Sequence, residues 1–281
     1  MPPRSPLVDR LQAALRRRDI NDLDLRDEAR IAQAVKLLWP ALDAWFSPVV
    51  RGLERIPDGP VLYVGNHNGA TLTPDSYVFL GSVYRERGLA HVPYGLMHEV
   101  AIKLPGANQL FVPLGAVRAS HDNAHRIFEA GHKVLVYPGG DLDAMRPYRH
   151  RDRVVFGPRR GYIRLALREG VPIVPVVAAG AHETFYVIDD GQWLARLLRA
   201  DKLLRLKVFP ITLSIPWGLT VGPVPPYFPW RSPITIEILD PIHFERTGPE
   251  AAEDDAWVER CHAQVLDAMN DKLGELVREV R

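Results

Sequence analysis

The chain has 281 residues, 47% hydrophobic and 25% charged, with 35 Lys+Arg against 34 Asp+Glu and a formal net charge of +1. That balance excludes composition-driven disorder and offers no global field to draw the chain to nucleic acid. A single cysteine, Cys261, excludes an intramolecular disulfide and a thiolate zinc cluster, and it fits a reducing compartment. The opening Met-Pro-Pro-Arg-Ser-Pro lacks the apolar core of a secretion signal. The apolar run 171–181 falls short of the about 20 residues that cross a bilayer. The expectation is a cytoplasmic protein, peripheral on the cytoplasmic face of a membrane.

Residues 1–25 are polar and Arg-rich and read as a flexible segment, with 26–281 as a single domain. From Glu28, apolar residues return at helical spacing through Ile31, Val35, Leu38, Leu42, Trp45 and Val49. Pro40 interrupts the run and predicts two short amphipathic helices with a corner. They form either a layer on the core or an interfacial anchor.

Four short apolar runs follow, at 60–64, 109–114, 133–137 and 171–177, each ending in polar or Gly-rich sequence. Runs this short and apolar predict strands buried on both faces. Helices are expected between Ser120 and Gly131 and over 160–169, and such crossovers favour parallel pairing. The fold class is therefore α/β, a mixed, largely parallel sheet flanked by helices. Ligands then bind beyond the carboxyl ends of the strands. Further on come a Pro- and aromatic-rich stretch (210–233), an alternating strand (234–239) and a charged helix (250–280) with Trp257, Cys261, Val265, Met269 and Leu273 on one face.

Asn66-His67 follows the first strand directly, and Asp75 comes eight positions later, after Pro74. A strand-end imidazole can take a hydroxyl proton, and a carboxylate on its other nitrogen fixes the tautomer. No Gly-x-Ser-x-Gly elbow is present, so the histidine does not serve a serine of that kind. On spacing alone, a structural His beside a helix-start Asp is the favoured reading.

Four segments together resemble the glycerolipid and lysophospholipid acyltransferase family. Asn66-His67-Asn68-Gly69 up to Pro74-Asp75 resembles its Asn-His-x-x-x-x-Asp motif, and Leu114-Gly-Ala-Val-Arg-Ala-Ser120 its second. Val136-Tyr-Pro-Gly-Gly-Asp141 stands where Phe-Pro-Glu-Gly-Thr-Arg is usual, and Val171-Pro-Ile-Val-Pro-Val176 resembles the fourth. The resemblance implies transfer of a fatty acyl group from acyl-CoA or acyl carrier protein to a lipid hydroxyl at a membrane surface. It implies no further cofactor, metal or nucleic acid. It makes His67 the general base and Asp75 its orienting carboxylate. It places the substrate against Asn66, Gly115, Arg118, Tyr137, Pro138, Gly139, Gly140, Asp141, Arg146, His182 and Glu183.

Two departures stand out. The family's Asp position is occupied by Leu72, and the third motif's Glu and Arg are replaced by Gly139 and Leu142. An Arg fork is the natural phosphomonoester clamp. Its loss, unless Arg118 or Arg146 substitutes, points away from lysophosphatidic acid. A phosphodiester lysolipid or a neutral alcohol such as diacylglycerol then fits better. A non-catalytic lipid-binding module is the alternative of another class. His121 and His125 have the i,i+4 spacing of zinc ligands but no evident third ligand.

Overall fold

The computed structural model describes residues 16–198 and 208–280. Strand β2 (Leu62–Gly65) is buried along its whole length, so both faces need cover. On one face Leu62 and Val64 join the core built from the helices α5 (His121–Glu129), α7 (Gly161–Glu169) and α10 (Asp255–Val280). On the other, Tyr63 meets Phe46 of α1 (Glu28–Phe46) and Val78, Phe79 and Val83 of α2 (Pro74–Arg87). The period of two along the strand thus divides the apolar residues between two helical layers.

The other strands of this sheet are β1 (Val49–Arg51), β3 (Tyr94–Met97), β4 (Ala116–Arg118), β5 (Val134–Val136), β6 (Ile173–Ala179) and β10 (Thr235–Ile238). The order is β1-β10-β6-β2-β5-β3-β4. Strands β2 to β6 run parallel to one another, whereas β10 is antiparallel to β6 and carries β1 parallel beside it. The largely parallel sheet expected from the sequence is the sheet observed. A second, antiparallel sheet pairs β7 (Tyr186–Asp189) with β8 (Ile211–Ser214) and β9 (Gly218–Val221), the latter two from the Pro- and aromatic-rich region. No helix among the described residues is long and apolar enough to cross a membrane.

Three expectations are corrected. Pro40 lies inside one continuous helix, α1, instead of at a corner. It removes one hydrogen bond, to Lys36, but both residues are exposed, where water can take the released carbonyl. The run 109–114 is not a strand. It forms the end of α4 (Ala107–Phe111, after the single turn α3, Glu99–Ile102) and a 3-10 turn through Leu114. Pro113 lies in that turn, which Gly115 ends in the left-handed conformation, and β4 begins only past it. The loose segment expected over 1–25 does not extend to residues 16–25. Ile20 is buried against Ile102 and Val112, and its carbonyl accepts from the Arg118 amide at 2.8 Å. Residues 1–15 lie outside the described residues.

Strand β6 ends at Gly180, whose φ of +83° turns the chain towards the strand-end cleft. A Cβ there would stand 1.9 Å from the Pro233 carbonyl oxygen. Gly180→Ala is expected to destabilise the fold by about 3 kcal/mol, read as a lower urea midpoint at unchanged m.

Candidate active site

The carboxyl ends of β2, β5 and β6 bring together Asn66 to Asn68, Tyr137 to Arg146, and His182. Asn66 is buried, and its amide spans the ends of β2 and β6, donating to the Ala178 carbonyl (2.9 Å) and accepting from the Ala178 amide (2.8 Å). Expected as a substrate contact, it is instead a clasp between strands, because both its polar atoms are spent on backbone. His67 is half-buried. Its backbone N–H donates to Asp143 Oδ2 (2.5 Å), and its ring lies 4.8 Å from that of Tyr137. The absence of a side chain at Gly65 admits the Tyr137 ring, which a Cβ would meet at 2.5 Å.

Arg146 lies beneath this histidine and is only 2% exposed. Its guanidinium donates to the carbonyls of His67 (2.8 Å), Asp143 (2.7 Å) and Arg151 (3.0 Å), and to Asn68 Oδ1 (2.5 Å) and Asp143 Oδ1 (3.1 Å). A guanidinium buried this deeply requires such acceptors, and both terminal nitrogens find them, whereas Nε is buried without a partner. Arg146 therefore holds the protein's own loops together and does not offer a fork to substrate, which corrects the expected role. Its carbonyl accepts from His182 Nε2 at 2.8 Å. That bond fixes the His182 tautomer and leaves its Nδ1 buried without a partner. His182 is thus structural in position, 2% exposed.

The loop from Gly69 to Thr73 is curled by left-handed backbone at Gly69, Ala70 and Thr73, and α2 opens at Pro74. Asp75, in the first turn of α2, is buried. It accepts from Asn68 Nδ2 (2.7 Å) and the Ser76 amide (3.0 Å). The hydrogen bond expected between Asp75 and His67 is not formed, and His67 Nδ1 is buried without a partner. The three extra residues between His67 and Asp75 deliver the carboxylate to the neighbouring asparagine. Asn68 is thereby the link that sequence reasoning missed, joining Asp75 to Arg146. Asp143 was missed too. It receives the amides of His67 and Val155 as well as Arg146. Only its i,i+3 spacing to Arg146 could have signalled it.

Burial sets the electrostatics. Desolvation, reinforced by the Arg146 charge, lowers the His67 pKa to about 4, so the imidazole is neutral at neutral pH. His182 is held well below the usual imidazole range by the same two causes. Desolvation raises Asp75 to about 7, against the hydrogen bonds from Asn68 and Ser76. Burial also raises Asp143, opposed by Arg146, and Tyr137, whose hydroxyl shares a 2.6 Å hydrogen bond with Ser76 Oγ.

The remaining expected contacts are dispersed. Gly139 is closed upon by Asp143 and by the Val155 carbonyl, and Gly140 by Arg159, so neither glycine opens backbone to a ligand. Arg159 also receives Asp141, within the short helix α6 (Gly140–Ala144), and the Pro138 carbonyl. Glu183 pairs with Arg151 at 3.5 Å. Arg118 donates to Asn21 at 2.9 Å, on a strand at the sheet edge, away from the β2, β5 and β6 ends that carry His67. Gly115 lines an apolar groove between α1 and α2, with Leu38, Leu42, Tyr77, Leu80 and Leu114. Among the described residues no three His, Cys, Asp or Glu side chains converge as a metal site, and His125 pairs with Glu169 instead (2.8 Å).

The folded carboxyl of Asp75 holds its proton up to about pH 7, against 3.8 unfolded. Its contribution is full below pH 3.8 and is lost as pH rises through 7. Relative to Asp75→Asn, the wild type should lose up to about 4 kcal/mol between pH 4 and 8, measured by urea unfolding across that range.

Residues 98–279 match the family model described as diacylglycerol acyltransferase. An uncharacterized protein of Mycobacterium tuberculosis is 32% identical over 190 residues, covering 67% of this chain and 51% of that protein. The human DGAT1/2-independent enzyme synthesizing storage lipids is 29% identical over 207 residues, 72% of this chain and 61% of that one. This chain thus spans about half to three-fifths of these relatives' length. The crystal structure of the 1-acyl-sn-glycerophosphate acyltransferase PlsC from Thermotoga maritima superposes with a TM-score of 0.53 at 19% identity. The match covers 88% of this chain and 79% of that one, and it matches the fold.

Proposed function

The chain belongs to the diacylglycerol acyltransferase family, and on that premise we propose that it esterifies the hydroxyl of a neutral glyceride, of the diacylglycerol class, with a fatty acyl group from a thioester. His67 is the general base. The acceptor oxygen attacks the thioester carbonyl as the imidazole takes its proton. Collapse of the tetrahedral oxyanion breaks the C–S bond, and the imidazolium returns the proton to the departing sulfur. No acyl-enzyme is required. Of the two ring nitrogens Nδ1 is sealed in the protein, so Nε2 is the one that meets substrate.

The observation that carries the neutral acceptor is the engagement of the cations around His67. Arg146 and Arg159 are the guanidinium groups whose charge acts on the imidazole. The first is buried with both terminal nitrogens engaged by protein acceptors, and the second is paired with Asp141 and the Pro138 carbonyl. A phosphomonoester would have to break one of these sets of bonds. The apolar groove that starts at Tyr77, next to Ser76, supplies a berth for an acyl chain. Acyl-CoA and acyl carrier protein both fit as donors of the thioester, at a membrane surface where the acceptor resides.

Incubation with labelled acyl-CoA and a panel of diacylglycerol, a long-chain alcohol, a lysophospholipid and lysophosphatidic acid should give triacylglycerol as the main product. Preference for lysophosphatidic acid would overturn the neutral-acceptor reading. His67→Ala should cut kcat by about a thousandfold or more while lipid binding persists; unchanged turnover would exclude His67 as the base, and lipid binding without any turnover by the wild type would leave the non-catalytic module. Asp75→Asn separates the two possible roles of the carboxylate. An orienting partner of the base would cost about ten-thousandfold, as for the triad carboxylate of a serine protease. A group that acts through Asn68, as observed, should cost less than tenfold. Because His67 stays neutral to about pH 4, kcat/KM should lack an acidic limb near 6.5.

A further inference from the structure

The small antiparallel sheet has its polarity inverted. On its inner face Val187 packs with Ala70, Phe185 and Tyr227 against the catalytic loop, while the hydroxyls of Thr212 and Thr220 bond each other at 2.8 Å. On its outer face the register sets Tyr186, Leu213 and Leu219 in one row and Ile211 beside Val221 in the next. These side chains face solvent, with Leu213 41%, Val221 54% and Leu219 65% exposed. The helix α8 (Gln192–Leu197), which follows β7, adds Trp193 and Leu197, and the β8–β9 turn adds Trp217. A sheet face that is apolar outward, with threonines turned in, is the reverse of what water selects.

We infer that this outer face of β7, β8 and β9 is a docking surface for an anionic lipid bilayer. Its charge settles the occupant. Arg196 stands between Trp193 and Leu197, Arg231 follows Trp230, and Arg149 adjoins Tyr148, whose ring stacks on Tyr186 at 4.4 Å. All three arginines are exposed and none forms an ion pair among the described residues. The acidic pair on this side, Asp189 and Asp190, is turned back onto the amides of Gly191 and Gln192. An apolar face edged by cations and tryptophans suits the headgroup boundary. A second copy of the chain on a two-fold axis would set these arginines against their equivalents.

The surface is also tied to the site. Tyr227, packed beneath the sheet, donates its hydroxyl to the Gly69 carbonyl of the catalytic loop, and the Trp230 amide donates to the Thr184 carbonyl (2.9 Å). Docking by this face would hold His67 at a fixed depth relative to the lipid. The inference goes beyond the acyl-transfer reading and does not need it, because binding is measured without turnover.

The test is flotation of the full chain with vesicles of phosphatidylcholine, with and without phosphatidylglycerol. The wild type should bind, more tightly to the anionic vesicles and less so as salt rises. The triple variant Leu213→Asn, Leu219→Asn, Val221→Asn should lose about a hundredfold in partitioning with an unchanged Tm. The variant Leu37→Asn, at an exposed position of α1 outside the apolar groove, should bind as the wild type does. Brominated phosphatidylcholine should quench the wild type's fluorescence, and less so after Trp193→Phe and Trp217→Phe, a reading independent of the triple variant's folding. Equal binding by the triple variant, loss on the α1 change alone, or a wild-type dimer that the triple variant makes monomeric would each overturn the inference.

Discussion

A positive charge sealed under the sheet edge organises everything at this end of the molecule. An unpaired guanidinium in that place would cost several kcal/mol, so the protein surrounds Arg146 with acceptors drawn from segments far apart in sequence. The carbonyl of His67, the side chain of Asn68, both acceptors of Asp143 and the Arg151 carbonyl all converge on it. His182 then hangs from the Arg146 carbonyl. The strand ends β2, β5 and β6 meet at this one residue. The position of His67 is thus a consequence of satisfying an internal ion.

That arrangement has chemical effects. Burial first and the Arg146 charge second disfavour imidazolium, so His67 is neutral at neutral pH. The arrangement also consumes the arginine that would otherwise be available to phosphate. The same crowding explains the altered third motif. A side chain at position 139 would collide with Asp143 and the Val155 carbonyl, so the glycine that stands where the wider acyltransferase pattern has Glu is required by Asp143 approaching to support His67. The departure from the pattern and the recruitment of an internal ion pair are one structural event.

Much of this was legible beforehand. The alternation of Leu62, Tyr63 and Val64 between two cores follows from a short all-apolar run. Ser120 caps α5 through the Asn123 amide and Gly170 closes α7 in the left-handed conformation, as residue chemistry alone suggests. His67 at a strand end was equally readable. The failures share a cause. Pro40 inside a helix, the helical 109–114 run and the partner of Asp75 each depend on which side of the chain faces water or a distant neighbour. A linear pattern does not encode that. Asn68 and Asp143 are ordinary polar residues in sequence and acquire meaning only by meeting Arg146.

The sequence by itself determined the α/β architecture, the gathering of polar strand ends at one edge and the candidate base, because hydrophobic period and turn chemistry are local properties. Only the tertiary structure decided which carboxylate touches which base, that Arg146 is spent on the protein's own carbonyls, and that the small sheet turns its leucines outward. Those outcomes depend on burial. Burial is fixed by contacts between segments 30 to 160 residues apart, such as Tyr227 on Gly69, and it is burial that assigns the cost of a charge or an exposed methyl group.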